Sequence, residues 1–262
     1  MNPDLPWQPA GTVYGPLLNL RREHALWAPR MGQAPYQAAP KAPVLYVKTA
    51  NTLAACGAAV AVPQPVWLGP TLGLVVGDHA SNWPTARNQQ APAAIKTIVL
   101  GGVAIAGCVL LNDLSLPHDS YYRPATFFGT RNGFWSGGPP AAPLAPAQIA
   151  ALQIDARVNG ALVQTVDLAT LVRDAATLLA DVSAFMTLQP GDVLMLGTDC
   201  LADGSRPLAQ AGDRVEVSAP GFAPLVHTVV AESSAAGPPH GARAPSGGSA
   251  GAPAPSVGAR SS

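Results

Sequence analysis

The sequence predicts a β-rich α+β fold. Short apolar runs recur along the chain, clusters of Gly, Pro, Asn and Asp separate them, and only one stretch sustains helical periodicity. The middle of the chain organises the rest. Cys108, Val109, Leu110 and Leu111 form an apolar strand that delivers Asn112 and Asp113. A polar, aromatic loop with His118, Asp119, Tyr121, Tyr122 and Arg123 follows, and then a Gly-rich return. Long polar loops of this kind carry function more often than core segments do.

In chain order, residues 1–10 are expected to be a mobile arm and residues 11–20 a short strand, apolar at Val13, Leu17, Leu18 and Leu20. Residues 21–30 are polar and tolerate a helix, whereas residues 33–43 carry too much Pro to hold one. Residues 44–47, Ala59–Val62 and 67–76 read as strands, and residues 78–92 as a loop. Residues 93–107 suit helix or strand, and the expectation is a helix running into a strand. Residues 137–146 form a Pro/Ala loop. Gln153–Val158 alternates apolar and polar positions, and Asn159-Gly160 turns it into a return strand over 161–166. Asp167 is expected to cap a helix with one buried face: Leu168, Leu171, Val172, Ala175, Leu178, Leu179, Val182 and Phe185. Turns at Gln189-Pro190-Gly191-Asp192 and Gly212-Asp213 introduce strands at 193–196 and Arg214–Ser218, and 226–230 is the last strand. From 233 to 262 the composition falls to Ser, Ala, Gly and Pro, which cannot bury enough surface to offset ordering entropy. The expected organisation is therefore an arm (1–10), a folded domain (11–232) and a disordered tail (233–262).

The 262 residues carry no formal net charge and only 11% are charged, with no basic stripe, which argues against nucleic acid as a partner. Alanine inflates the 48% hydrophobic content, and glycines break the longest apolar runs, so no membrane span is expected. The first residues lack a basic region and an apolar core, and Cys56, Cys108 and Cys200 show neither a disulfide framework nor zinc spacing. The expected location is cytoplasmic.

Asp113 is either a ligand for a hard divalent cation or a strand-end cap. Lys48, ending an apolar strand, either meets a substrate carboxylate or is solvated. His24, among Arg21, Arg22 and Glu23, is a general base or a surface histidine. Arg123 and Arg131 either clamp an acidic substrate or anchor the loop. His118 with Asp119 is a weak loop pair, and His227 reads as a sheet-edge residue. GxSxG, GxGxxG, P-loop and HExxH patterns are absent.

Several segments, taken together and in order, resemble the fumarylacetoacetate hydrolase family. They are residues 11–20; Pro43 to Lys48 through Asn51-Thr52; Gly69-Pro70-Thr71-Leu72-Gly73-Leu74-Val75-Val76-Gly77; and Ser115-Leu116-Pro117 through Tyr122-Arg123-Pro124. Arg131-Asn132-Gly133-Phe134, Phe185 to Asp192 and Leu196-Gly197-Thr198 complete the match, over roughly residues 11–232. Within the family, these segments resemble the N-terminal half of the two-domain decarboxylase/isomerases of homoprotocatechuate (4-hydroxyphenylacetate) degradation.

The resemblance implies a mixed β-roll around a pseudo-barrel with few peripheral helices. It also implies Mg²⁺ or Mn²⁺ held by Glu-x-Glu on one strand and Asp on a later one. The metal chelates a 2-oxo acid and stabilises its enolate for C–C cleavage, decarboxylation or isomerisation. Gly69 and Thr71 stand at the two Glu positions, and Asp113 matches the Asp. Gly129 stands where the family carries a lysine, and the family's lid His and Glu fall on Glu23 and Leu26, with His24 one position off. His24 is the expected base, and Lys48, Tyr122, Arg123, Arg131 and Thr198 are the expected substrate contacts. The implied activity is that of a decarboxylase/isomerase (lyase) subunit for 2-oxo and 2-hydroxy-dienoic di- and tricarboxylates, in a homo-oligomer or a hetero-oligomer. The alternatives are a non-catalytic partner that stabilises a metal-bearing paralogue, and a metal-free site around His24, Lys48 and Arg123.

Overall fold

A computed structural model describes residues 7–77, 97–121 and 125–233. Residues 1–6 of the expected arm, the 78–92 loop, residues 93–96, Tyr122, Arg123 and the tail from 234 onward lie outside the described residues. The chain divides into two units, Met1–Glu232 and Ser233–Ser262, and the fold that follows is that of the first.

The strands are β1 (Val13–Pro16), β2 (Leu45–Lys48), β3 (Leu53–Ala55), β4 (Ala59–Val62), β5 (Val66–Trp67), β6 (Pro70–Val76), β7 (Ile98–Leu100) and β8 (Val103–Asp113). They continue as β9 (Trp135–Gly137), β10 (Gln153–Val158), β11 (Ala161–Asp167), β12 (Val193–Met195), β13 (Leu208–Ala209), β14 (Arg214–Ser218) and β15 (Leu225–Ala231). Helices are α1 (Arg21–Met31), α2 (Ala125–Gly129), α3 (Pro146–Ala150) and α4 (Ala175–Ser183). The main sheet follows the order β2-β1-β12-β6-β8-β9-β3, with β7 paired to β8. A second sheet has the order β11-β10-β14-β15-β4, and β13 pairs with β5.

The main sheet must curl. Its two ends, β2 and β3, are consecutive in the chain and joined only by residues 49–52. Six strand-to-strand steps at about 4.8 Å would put the ends of a flat sheet about 29 Å apart. Four residues span at most about 14 Å. The path therefore bends back on itself into a roll. Alternation along β8 supplies both faces of that roll, which is why this long strand is buried almost throughout. Val109 and Leu111 pack with Val13, Val75, Trp135, Val193 and Met195 on one face. Cys108 and Leu110 pack on the other with Ile154, Val166, Val217 and Leu225 of the second sheet and with α4.

Three local expectations need correction. The described part of 93–107 holds no helix. Gly101 and Gly102 adopt positive φ (53° and 82°) and form a two-residue hairpin that pairs Ile98 with Ile105 and Leu100 with Val103. Asp167 does not start the long helix. Its carboxylate accepts from Ala169 N (2.9 Å) at a single 3₁₀ turn, Leu168–Thr170, and Leu171 then bridges to Leu20. Asp174 caps α4 instead, accepting from Thr177 N at 2.7 Å. Val172 and Phe185, outside α4, are accordingly exposed. Lastly, His227 is not at an edge: β15 lies between β14 and β4, and the imidazole is wholly buried. The Asn159-Gly160 hairpin forms as expected, with both residues at positive φ.

Leu178, Leu179 and Val182 are the buried face of α4. Replacing Leu179, fully buried, by Ala is expected to cost about 2–5 kcal/mol in urea unfolding. A change within experimental error would show that this face is not packed. Among the described residues no helix is long and apolar enough to cross a membrane.

Candidate active site

Period-two alternation brings together the three positions that the resemblance assigns to the metal. Thr71 pairs with Leu111 and Pro70 with Asn112, and Gly69 O accepts from Asp113 N (2.9 Å). Gly69, Thr71 and Asp113 thus share the face that carries Val109 and Leu111. Tyr46 and Lys48 alternate onto one face of β2, and the curl of the sheet carries both to Asp113. Asn112 points the other way: its Oδ1 accepts from Gly69 N at 2.9 Å, and its Nδ2 lies 3.4 Å from His227 Nε2.

A cavity of about 60 Å³ opens at this end of the roll. Two ion pairs face it. In the first, Lys48 Nζ lies 2.6 Å from Asp113 Oδ1, and Tyr46 OH donates to Asp113 Oδ2. Lys48 also donates to Gly129 O and, at 3.4 Å, to Leu114 O, so its three N–H groups all have acceptors. Burial, and then the adjacent Asp113 charge, push the Tyr46 phenol well above its usual range, so it stays a donor. In the second pair, Arg206 Nη2 donates to both carboxylate oxygens of Glu23, each at 2.7 Å, and Tyr121 OH donates to Glu23 Oε1 at 2.8 Å. Burial, as the largest cause, raises the Tyr121 pKa too. The Arg206 guanidinium lies 5.7 Å from the Trp67 ring centroid. His118 sits in an aromatic cage of Trp67 (5.0 Å), Phe128 (5.1 Å, stacked) and Tyr121 (5.2 Å). Burial lowers its pKa and the Arg206 charge lowers it further, so the imidazole is neutral at pH 7.

The expected site residues divide. Lys48, Asp113 and Thr198 converge on the cavity, as does the Gly129 position. His24 lines a neighbouring cavity of about 200 Å³ with Trp27, Met31 and Tyr36; the two cavities share Pro16, Leu17, Leu18 and Tyr121. Arg131 does not line the cavity: its Nη2 donates to both carboxylate oxygens of Glu232, at 2.9 and 2.8 Å. Tyr46, Trp67 and Arg206 escaped the sequence reading. Tyr46 had a signal, since it stands two residues before Lys48 and must share its strand face. Arg206 had none, because it lies in a Gly/Ser/Pro loop without periodicity.

These residues do not fit a divalent metal. Asp113 is the one carboxylate at the three positions that the resemblance assigns to the metal, and an ammonium and a phenol already satisfy it. A side chain at position 69 would begin 2.3 Å from the Asp113 carbonyl oxygen, so no carboxylate fits there without moving β8. Thr71 is buried, with its hydroxyl directed at Leu72 O (3.5 Å). Among the described residues no three His, Cys, Asp or Glu side chains converge as a metal cluster.

The family model for the fumarylacetoacetate (FAA) hydrolase C-terminal region matches residues 12–230. The chain belongs to the fumarylacetoacetate hydrolase family. It is 38% identical over 224 residues to the 4-hydroxyphenylacetate degradation bifunctional isomerase/decarboxylase of Escherichia coli, covering 85% of this chain and 48% of that protein. The Salmonella dublin protein of the same name is 37% identical over 225 residues, again 85% and 48%. The chain therefore spans about half the length of these curated relatives. Among solved structures, 5-carboxymethyl-2-hydroxymuconate delta-isomerase from Mycobacterium smegmatis matches with a TM-score of 0.61 at 23% identity, covering 84% of this chain and 77% of that one. Fumarylpyruvate hydrolase from Pseudomonas aeruginosa, solved with Mn²⁺ and pyruvate, matches with a TM-score of 0.60 at 19% identity, covering 86% and 91%. These two likenesses show the family's sheet-rich roll, as the resemblance in the sequence implied.

Proposed function

We propose that this chain is a decarboxylase/isomerase subunit that acts on 2-oxo and 2-hydroxy-dienoic carboxylates in 4-hydroxyphenylacetate degradation. The observation that carries this reading is the 38% identity to one half of the E. coli isomerase/decarboxylase. The cavity supports it with a paired cation and carboxylate on either side, a setting for a small anionic substrate. The metal positions argue for a division of labour. With Asp113 held by Lys48 and position 69 closed to a side chain, metal-assisted decarboxylation falls to a metal-bearing partner chain. The same two observations favour a second reading, in which the chain only stabilises such a paralogue.

The test is a decarboxylase assay with a 2-oxo tricarboxylate and Mg²⁺, on the purified chain and on its mixture with a family member that retains Glu-x-Glu. The mixture is expected to be active and the isolated chain not. Calorimetry of the isolated chain with Mn²⁺ and a 2-oxo diacid is expected to show no micromolar binding. Micromolar binding lost in Asp113→Ala would sink the division of labour. A mixture no more active than the paralogue alone would favour the second reading.

A further inference from the structure

The cavity's charges suit one of the two reactions better than the other. Decarboxylation of a 2-oxo acid needs an electron sink, which metal-bearing members obtain from a divalent ion. Isomerisation of a 2-hydroxy-2,4-dienoate to a 2-oxo-3-enoate needs only that a proton leave one atom and another arrive elsewhere. Both carboxylates here are already engaged, each by a cation and a phenol: Asp113 by Lys48 and Tyr46, Glu23 by Arg206 and Tyr121. His118 faces the same cavity outside both pairs, its ring fixed by Trp67, Phe128 and Tyr121.

We propose that this cavity catalyses metal-independent dienol-to-enone isomerisation, with the His118 imidazole as the group that moves the proton. The inference rests on the proposed function and names which half of that chemistry the chain performs by itself. Arg206 orients the substrate carboxylate. Glu23 engages only its Nη2, and Nε and Nη1 have no partner among the described residues. The guanidinium lies over Trp67, which also contacts His118, so a carboxylate on Arg206 brings the dienol towards the imidazole. His118 takes the C2 hydroxyl proton as the O–H pair closes the C2=O bond. The C2=C3 pair moves to C3=C4, and the C4=C5 pair takes the proton from the His118 imidazolium at C5, which returns the imidazole to its neutral form. One proton leaves oxygen and one reaches carbon, with no change of oxidation state and no co-reactant. Burial keeps the imidazole neutral and able to accept that first proton.

The experiment uses the full chain, 2-hydroxypenta-2,4-dienoate as probe and an excess of EDTA. It follows loss of the dienol absorbance, and deuterium at C5 by NMR in D₂O. The wild type is expected to isomerise the probe in EDTA well above the buffer rate. His118→Gln is expected to lower that rate about 10²–10⁴-fold at an unchanged melting temperature, and added imidazole to restore part of it. Chemical rescue is a readout that a purely structural histidine would not give. If His118→Gln melts early, His118→Asn replaces it, and EDTA-insensitivity of the wild type still decides the metal question. Three results would overturn the proposal: a wild-type rate no higher than buffer, a rate abolished by EDTA and restored by Mn²⁺, or a variant within threefold of wild type. Isomerisation in EDTA without decarboxylation in the paralogue mixture would keep this inference and remove the decarboxylase part of the proposed function. The converse pattern would do the opposite.

Discussion

Replacing Arg206 by Met is expected to destabilise the folded chain by about 3–5 kcal/mol, the usual cost of leaving one partner of a buried ion pair uncompensated. The pair is well sheltered, with the Glu23 side chain 6% and the Arg206 side chain 14% exposed. Arg206 also helps to tie the start of α1 to the loop after β12, beside the bonds from Arg22 Nη1 to Cys200 O (2.8 Å) and from Glu23 N to Asp199 Oδ1 (3.2 Å). Without it, Glu23 keeps the Tyr121 hydroxyl but loses both guanidinium hydrogen bonds. At roughly 2–4 °C per kcal/mol for a domain of this size, the melting temperature should fall by roughly 6–20 °C. The double variant Glu23→Met, Arg206→Met separates the loss of a pair from the stranding of a charge. Swapping a buried pair for apolar groups of similar size is often near neutral, so the double variant should recover most of the loss. Urea unfolding of the wild type, both single variants and the double variant closes the cycle. A single variant within about 1 kcal/mol of wild type would mean that the pair is solvated rather than buried.

How far the sequence disclosed this arrangement depended on the range of the interaction. Asn159-Gly160 dictates its own turn because both residues tolerate positive φ, and that hairpin formed where it was expected. Gly101-Gly102 carries the same local signal. The apolar residues around it suit either period, and that hid a short hairpin inside an expected helix. The α4 helix was legible from its spacing but not its start, because Asp167 and Asp174 are both capable caps. Tertiary pairing of Leu171 with Leu20 decided between them. Within the site, Lys48 and Asp113 could each be suspected at a strand end, but their ion pair exists only because the sheet curls, and no local pattern encodes that. Arg206 and Glu23 are 183 residues apart and carry no periodic signal, so their pairing is a property of the assembled roll alone.

Acid is expected to destabilise the fold through His227, by up to about 3 kcal/mol between pH 6.5 and 4. The imidazole is wholly buried on β15, and burial alone pulls its pKa down to about 4. Its one polar partner among the described residues, Asn112, explains why the neutral form is held. Asn112 Oδ1 is committed to Gly69 N, so Asn112 presents its Nδ2 to His227 Nε2, which must then accept. Protonation of Nε2 would set two donors against each other and leave a buried cation with no carboxylate beside it among the described residues. The sign follows from proton counting. The unfolded histidine takes up a proton near pH 6.5, whereas the folded one resists until about pH 4. Between those values the unfolded state holds more protons, so stability is complete above pH 6.5 and drains away as the pH falls. Carboxylates elsewhere add their own slopes, so the measurement is a difference between two proteins. Urea unfolding of wild type and His227→Gln at pH 7.5, 5.5 and 4.5 isolates the histidine, since Gln can still accept from Asn112 but does not titrate. The variant is expected to be the less stable at pH 7.5, and the gap should shrink by about 2.5 kcal/mol, or reverse, by pH 4.5. A gap that stays constant across the series would show that His227 titrates normally, and that water reaches the strand on which Asn112 and Asp113 stand.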